Sequence, residues 1–149
     1  MAPTALLTAD GVRLAARWWE APSTIGDPAG SVAVVLVHGF AASKDEASVE
    51  EVARRLSASG NPVLTYDSRG HGESAGLCTL GDLERLDVDA AVGAAVERAG
   101  EVVVVGTSMG GVAVLNHMAG APAGATPNGA GGPDASGALP APGAHGVVA

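Results

Sequence analysis

The chain has 149 residues and a formal net charge of −8, with eight basic side chains against sixteen acidic ones. This length fits a single domain, and the 47% of apolar residues is enough for a sizeable core. The acidic balance argues against a surface that binds nucleic acid or anionic membranes. The single cysteine, Cys78, excludes an intrachain disulfide framework and a cysteine-rich zinc site. No secretory signal and no apolar run long enough to span a membrane are evident, so we expect a cytoplasmic protein.

Composition divides the chain into two parts. Residues 119–149 number 31, and 23 of them are alanine, glycine or proline, so this segment has too little apolar surface to order its backbone. We predict a partial domain over residues 1–118 and a low-complexity, disordered tail over residues 119–149.

The first predicted elements are a hairpin and a buried strand. Residues 4–8 and 12–19 flank Asp10-Gly11, which is a strong hairpin signal. A loop rich in proline, glycine and serine follows. The aliphatic run over residues 32–37 is then typical of a strand buried on both faces of a parallel sheet.

Helices and strands alternate after this run. Ser43 and Glu46 have capping-box spacing before a helix-like apolar stripe. A second buried strand is predicted over residues 63–66, a helix over residues 88–99 and a third strand over residues 102–105. A further helix-like segment follows at residues 112–118. This alternation predicts an α/β fold with a mostly parallel sheet of about five strands and a leading antiparallel hairpin at one edge.

The sharpest chemical signal is the sequence Gly-Thr-Ser-Met-Gly-Gly at residues 106–111. It fits G-x-S-x-G and lies between a strand and a helix, which is the context of a nucleophile elbow. Gly106 and Gly110 would prevent collisions within the tight turn, and Ser108 would be held in a strained conformation at the carboxyl end of the strand. The alternative is a glycine-rich turn with an incidental serine. A phosphate loop is disfavoured because the Gly-Lys-Ser/Thr ending is absent.

The sequence His38-Gly39-Phe40 follows the first parallel strand. Acyl transfer needs two backbone N–H donors close to the developing oxyanion. The amides of Phe40 and Met109 are the predicted donors. We interpret His38 as a residue that holds the loop through hydrogen bonds, in preference to a catalytic base.

A polar, glycine-rich loop, DSRGHGES at residues 67–74, follows the second parallel strand. Asp67 and Arg69 are candidates for a charge pair that fixes this loop. A metal site at His71 is the alternative, although no second histidine lies at ligand spacing. The loop also lacks the complete glycine fingerprint of a dinucleotide site.

Together, HGF at residues 38–40, DSRGHGES at residues 67–74 and GTSMGG at residues 106–111 resemble the α/β-hydrolase superfamily. The branch that they resemble most is the serine aminopeptidase-like and lysophospholipase-like one. The resemblance spans roughly residues 4–118, and the three motifs agree with it in order and spacing.

The resemblance implies specific roles for the motifs. Ser108 would be the nucleophile, the amides of Phe40 and Met109 would form the oxyanion hole, and the loop at residues 67–74 would be structural. It also implies that small-molecule ester, lipid or amide substrates are hydrolysed through an acyl-enzyme, without a metal, a nucleotide or another cofactor.

The chain departs from the family pattern after Ser108. The family supplies an acid and then a histidine later in the chain, and here Asp134 and His145 alone have that chemistry in that order, both in the predicted tail. His117 would lie too far along the following helix to be the base. Whether Asp134 and His145 act as acid and base stays open.

We therefore predict an N-terminal, C-terminally truncated portion of a hydrolase. The alternative is a catalytically inactive fragment or an interaction module that lacks the acid and histidine of the triad. Without a neighbour, the strand at residues 102–105 would be an uncovered sheet edge, which predicts self-association.

Overall fold

The computed structural model describes residues 2–22, 32–120 and 144–148. In these residues three helices pack on a six-stranded sheet. In chain order the elements are β1 (Ala2–Leu7), β2 (Arg13–Trp19), β3 (Val32–Val37), α1 (Ala47–Ala58), β4 (Val63–Tyr66), α2 (Glu84–Val96), β5 (Glu101–Gly106), α3 (Met109–Met118) and β6 (Ala144–Val148).

The strand order across the sheet is β1-β2-β4-β3-β5-β6. The hairpin β1–β2 is antiparallel and also pairs β2 antiparallel to β4, whereas β4, β3, β5 and β6 run parallel. Gly11 turns the hairpin at φ +83°, a backbone conformation that glycine adopts without strain. The predicted α/β fold, its parallel strands and its leading hairpin are confirmed.

The two faces of the sheet are covered differently. Alternate residues of β3 and β5, such as Val35 and Val104, are buried under α2 and α3 in the larger core. The opposite face holds a smaller core around Val34, Leu36 and Ala53, where α1 packs on β2, β3 and β4. The carboxyl ends of β3, β4 and β5 meet at one edge of the parallel sheet, and the three sequence motifs follow those ends.

The capping box predicted for α1 is wrong. The helix begins at Ala47, and its N-cap residue, Glu46, makes no side-chain capping bond. The segment before the helix is held instead from another element, because the backbone N–H of Lys44 donates to the buried Asp67 carboxylate at 2.7 Å.

The sixth strand was not predicted. β6 lies within the segment predicted to be a disordered tail and pairs with β5 over its whole length, from Val102 opposite Ala144 to Gly106 opposite Val148. The prediction of disorder therefore fails for residues 144–148, where the apolar Val147-Val148 pair was the one ordering signal. Residues 121–143 lie outside the described residues, so disorder there and the domain boundary at residue 118 stay predictions.

The prediction that β5 is an uncovered edge is wrong for the same reason. In the part of the chain that the structure describes, the edge strand on this side is β6. None of the described helices is long and apolar enough to cross a lipid bilayer.

Candidate active site

Ser108 lies in the sharp turn between β5 and α3. Its backbone has φ 51° and ψ −118°, and the helix begins at the next residue. A non-glycine residue at positive φ costs about 1–3 kcal/mol, and a fold keeps it only where the surroundings impose that conformation. Two hydrogen bonds impose it: Thr107 N–H donates to Val37 O at 3.1 Å, and Gly110 N–H donates to Thr107 O at 2.9 Å.

Glycines at two positions make this turn possible. A Cβ atom at Gly106 would lie 2.5 Å from the carbonyl oxygen of Gly110, and a Cβ atom at Gly110 would lie 2.4 Å from that of Val37. Both obstacles are backbone atoms, which cannot rotate away as a side chain can. The steric requirement predicted from the sequence is therefore present at both glycines.

The loop after β3 lies against this turn. A Cβ atom at Gly39 would be 3.3 Å from Ser108 Cβ and 3.4 Å from Thr107 O. Phe40 follows with an exposed ring, and Ala41 is held at φ 60°. Within the described residues, the backbone N–H groups of Phe40 and Met109 donate to no protein acceptor.

His38 is buried at the end of β3, and both of its ring nitrogens are occupied. Nε2 accepts a hydrogen bond from Ser68 N–H at 3.0 Å, so the ring proton is on Nδ1, which donates to Gly39 O at 2.8 Å. Burial lowers the pKa of His38 below its usual 6.5, which agrees with a neutral ring. The interpretation of His38 as a residue that holds the loop fits these contacts.

His71 makes the reciprocal connection from the loop after β4. Its Nε2 accepts Ala41 N–H at 3.2 Å, and its Nδ1 donates to Arg69 O at 3.1 Å. Its ring also meets those of His38 and Phe40 edge to face, with centroids 5.2 and 5.8 Å apart. Among the residues that the structure describes, no three histidine, cysteine, aspartate or glutamate side chains are grouped to bind a metal.

The charge pair predicted between Asp67 and Arg69 is wrong, because each residue has other partners. Asp67 is fully buried and accepts the backbone N–H groups of Lys44 and Glu73 at 2.7 and 2.9 Å and the Lys44 ammonium at 3.1 Å. Lys44 also contacts Asp45 and Glu73, and these acids raise its pKa against the opposing effect of burial.

Arg69 connects the same loop to the hairpin and to α2. Its guanidinium contacts the Asp10 carboxylate at 2.8 and 3.0 Å and the fully buried Asp87 carboxylate at 2.8 and 2.9 Å. The side-chain hydrogen bond from Arg69 is the main cause that lowers the pKa of Asp10 to about 2. Asp10 as the partner of Arg69 and Lys44 as the partner of Asp67 were not predicted from the sequence. The available signal was that Asp67 and Arg69, two charged residues in a loop expected to be buried, would each need a residue of opposite charge.

The remaining histidines are far from Ser108. His117 lies nine residues along α3, about 13 Å at the rise of a helix, and burial lowers its pKa. The register of β6 places His145 opposite Val103, three residues, or about 10 Å, before the end of β5. Asp134 lies outside the described residues. The structure thus brings Ser108, Phe40 and Met109 together but does not bring His145 to them.

An apolar cavity of about 310 Å³ opens beside the turn on the α1 face. Val49 and Val52 of α1 form one wall, and Leu36 and Val105 of the sheet form the other. His38 and Thr107 also line the cavity, so it borders the segment that carries Ser108.

A family model described as serine aminopeptidase, S33 matches residues 29–129 of this chain. No curated protein sequence matches it significantly. An esterase from Pyrococcus furiosus is 30% identical over 77% of this chain and 43% of its own, with a TM-score of 0.64.

Two further solved structures are similar to this chain. Est1E from Butyrivibrio proteoclasticus, solved with ferulic acid bound, is 25% identical over 76% of this chain and 46% of its own, with a TM-score of 0.64. A lidless α/β serine hydrolase from Xanthomonas campestris is 24% identical over 79% of this chain and 55% of its own, with a TM-score of 0.69. This similarity is one of fold. The chain spans about half the length of these proteins.

Proposed function

Because this chain belongs to the serine aminopeptidase S33 family, we propose that it is a serine hydrolase in which Ser108 is the nucleophile. The observation that carries the proposal is the backbone of Ser108, held at φ 51° between a strand and a helix by glycines that no other residue can replace without collision. Strained residues of this kind cluster at active sites, where the strain fixes the direction of a functional side chain.

The proposed reaction proceeds through an acyl-enzyme. Ser108 Oγ bonds to the substrate carbonyl carbon as its proton passes to a base, and the carbonyl electron pair moves to oxygen. The N–H groups of Phe40 and Met109 are the proposed donors to that oxyanion, supported by the absence of other acceptors for them among the described residues. Collapse expels the alcohol or amine, which takes the proton. Water then repeats the sequence, releasing the acid and restoring Ser108.

Small-molecule esters are the substrates that we propose first, with lipids and amides as the wider class. The Pyrococcus furiosus relative is an esterase, and the relative from Butyrivibrio proteoclasticus was solved with ferulic acid. The reaction needs no cofactor, since a serine, a base and two amides are sufficient for acyl transfer.

A catalytically inactive fragment or interaction module is the second candidate. It is favoured by the histidines: within the described residues, His38 and His71 use both ring nitrogens in backbone hydrogen bonds, and neither His117 nor His145 lies beside Ser108. Two further predictions remain. One is self-association through a sheet edge, which in the described residues is β6 and not β5. The other is a cytoplasmic location.

A fluorophosphonate probe separates the two candidates. The purified chain is incubated with the probe and digested, and the modified peptide is identified by mass spectrometry. A serine hydrolase gives an adduct on Ser108 that is absent from the Ser108→Ala variant. Folded protein that gives no adduct, or an adduct that persists in Ser108→Ala, contradicts the proposal.

A further inference from the structure

The loops after β3 and β4 are tied together by two histidines in opposite directions. His38, on the first loop, accepts the N–H of Ser68 on the second at 3.0 Å. His71, on the second loop, accepts the N–H of Ala41 on the first at 3.2 Å. Both rings are buried, so water competes little for these bonds.

Each of these histidines also donates from its other nitrogen to a backbone carbonyl. His38 Nδ1 donates to Gly39 O on its own loop, and His71 Nδ1 donates to Arg69 O on its own loop. Each ring is therefore fixed in orientation within its loop, while its Nε2 atom reaches the other loop. The two Nε2 atoms hold different backbone groups. His38 Nε2 holds Ser68, on the loop after β4, whereas His71 Nε2 holds Ala41, which follows Phe40 in the chain.

The contact with Ala41 bears directly on the amide of Phe40. Ala41 has φ 60°, which an alanine adopts only when its surroundings impose it. A Cβ atom at Gly39, two residues earlier, would lie only 3.3 Å from Ser108 Cβ, so the loop runs close to the turn. A small rotation of the loop therefore changes the distance from Phe40 N–H to Ser108. The bond from Ala41 N–H to His71 opposes that rotation.

We propose that His71 is a positioning residue for the oxyanion hole. By accepting the Ala41 N–H, it keeps the loop in the conformation that directs the Phe40 N–H toward the oxygen of the reacting carbonyl. This inference rests on the proposed function of Ser108. The feature that supports acylation is then the hydrogen bond that His71 Nε2 accepts from Ala41 N–H, and not the presence of the ring as a whole.

Two amide substitutions separate these features. In His71→Gln the amide reaches the position of Nε2 and can accept Ala41 N–H. In His71→Asn it reaches only the position of Nδ1 and can donate to Arg69 O. Each variant is neutral and keeps only one of the two hydrogen bonds of His71, either the one from Ala41 N–H or the one to Arg69 O. If His71 only stabilised the fold, the two variants should therefore lose stability and Ser108 reactivity to a similar degree.

The measurement is the rate constant for covalent labelling of Ser108 by the fluorophosphonate probe, separated from the probe's binding constant. We expect His71→Asn to lower this rate constant about tenfold more than His71→Gln, with the two melting temperatures alike. Hydrogen exchange at the Ala41 amide supplies a readout that needs no activity, and we expect faster exchange in His71→Asn alone.

The outcomes distinguish this inference from the proposed function. If wild-type Ser108 is labelled and the two variants react at the same rate, the positioning role of His71 is wrong and the serine hydrolase proposal stands. If folded wild-type protein is never labelled, the proposed function fails and the positioning role fails with it. Unchanged Ala41 exchange in His71→Asn also contradicts the inference.

Discussion

The two sides of the candidate site are built to different degrees. On the side that would bind the oxyanion, the loops after β3, β4 and β5 are held by buried histidines, by Asp67 with Lys44 and by Arg69 with its carboxylates. On the side that would move the proton, the described residues place no free imidazole beside Ser108. The loops after β3, β4 and β5 thus constrain the turn at Ser108 from several directions, whereas the described residues supply no base for the proposed nucleophile.

The buried charge of Arg69 gives the largest expected effect on the constrained side. The Arg69→Met variant leaves the fully buried Asp87 carboxylate without its cation. Removing one partner of a buried ion pair lowers the free energy of unfolding by about 3–5 kcal/mol. Urea unfolding measures the change. Asp10→Asn is the control, since Asp10 is partly exposed and its loss should cost less. Equal decreases in the free energy of unfolding in both variants would show that the buried Asp87 carboxylate does not depend on Arg69 for its stability.

The turn itself is tested by adding single methyl groups. Gly110→Ala brings a Cβ atom to 2.4 Å from Val37 O, and we expect it to lower the free energy of unfolding by about 3 kcal/mol. The control is Gly93→Ala, in α2, where the new Cβ would meet no atom within 4 Å apart from its chain neighbours and the backbone of its own helix. That change should stabilise the protein by roughly 0.5–1 kcal/mol. A Gly110→Ala variant as stable as wild type would disprove the tight turn.

The strain at Ser108 predicts a stability gain when the side chain is removed completely. Ser108→Gly should raise the free energy of unfolding by about 1 kcal/mol over Ser108→Ala, because glycine adopts φ 51° at little cost and alanine does not. Thermal unfolding of the two variants, both without the hydroxyl, measures the difference. Equal stability of the two would mean that the turn stores no strain.

The smallest expected effect is a pH dependence at the hairpin. The pKa of Asp10 falls from 3.8 to about 2 in the folded chain, so its ion pair with Arg69 stabilises the fold fully above pH 3.8. This contribution is lost as the pH falls toward 2. The stability difference between wild type and Asp10→Asn should therefore be largest near neutral pH and shrink through this acid range. A constant difference would contradict the depressed pKa.

The parts of the molecule that were predicted correctly depend on neighbours in sequence. The valine runs, Asp10-Gly11 and the pattern around Ser108 each specify a local conformation through side-chain branching or through glycine. They were sufficient for the order of the elements and for the position of the serine.

The parts that were missed depend on residues distant in sequence. Arg69 and Asp10 are 59 positions apart, and Lys44 and Asp67 are 23 apart, so no local pattern marks either pair. The capping box failed because the helix begins at Ala47, three residues later than a box with Ser43 as its N-cap requires, and Glu46 is the N-cap instead. β6 was missed because a short apolar pair in a glycine-rich segment becomes a strand only beside the edge of β5.

The most direct test of the account is the dependence of Ser108 labelling on added imidazole. Because the described residues place no free imidazole beside Ser108, we expect fluorophosphonate labelling of wild type to be slow without imidazole and its rate to rise with imidazole concentration, whereas Ser108→Ala should show no labelling at any concentration. Folded protein in which labelling stays absent at every imidazole concentration would contradict the account, because the serine would then lack more than a base.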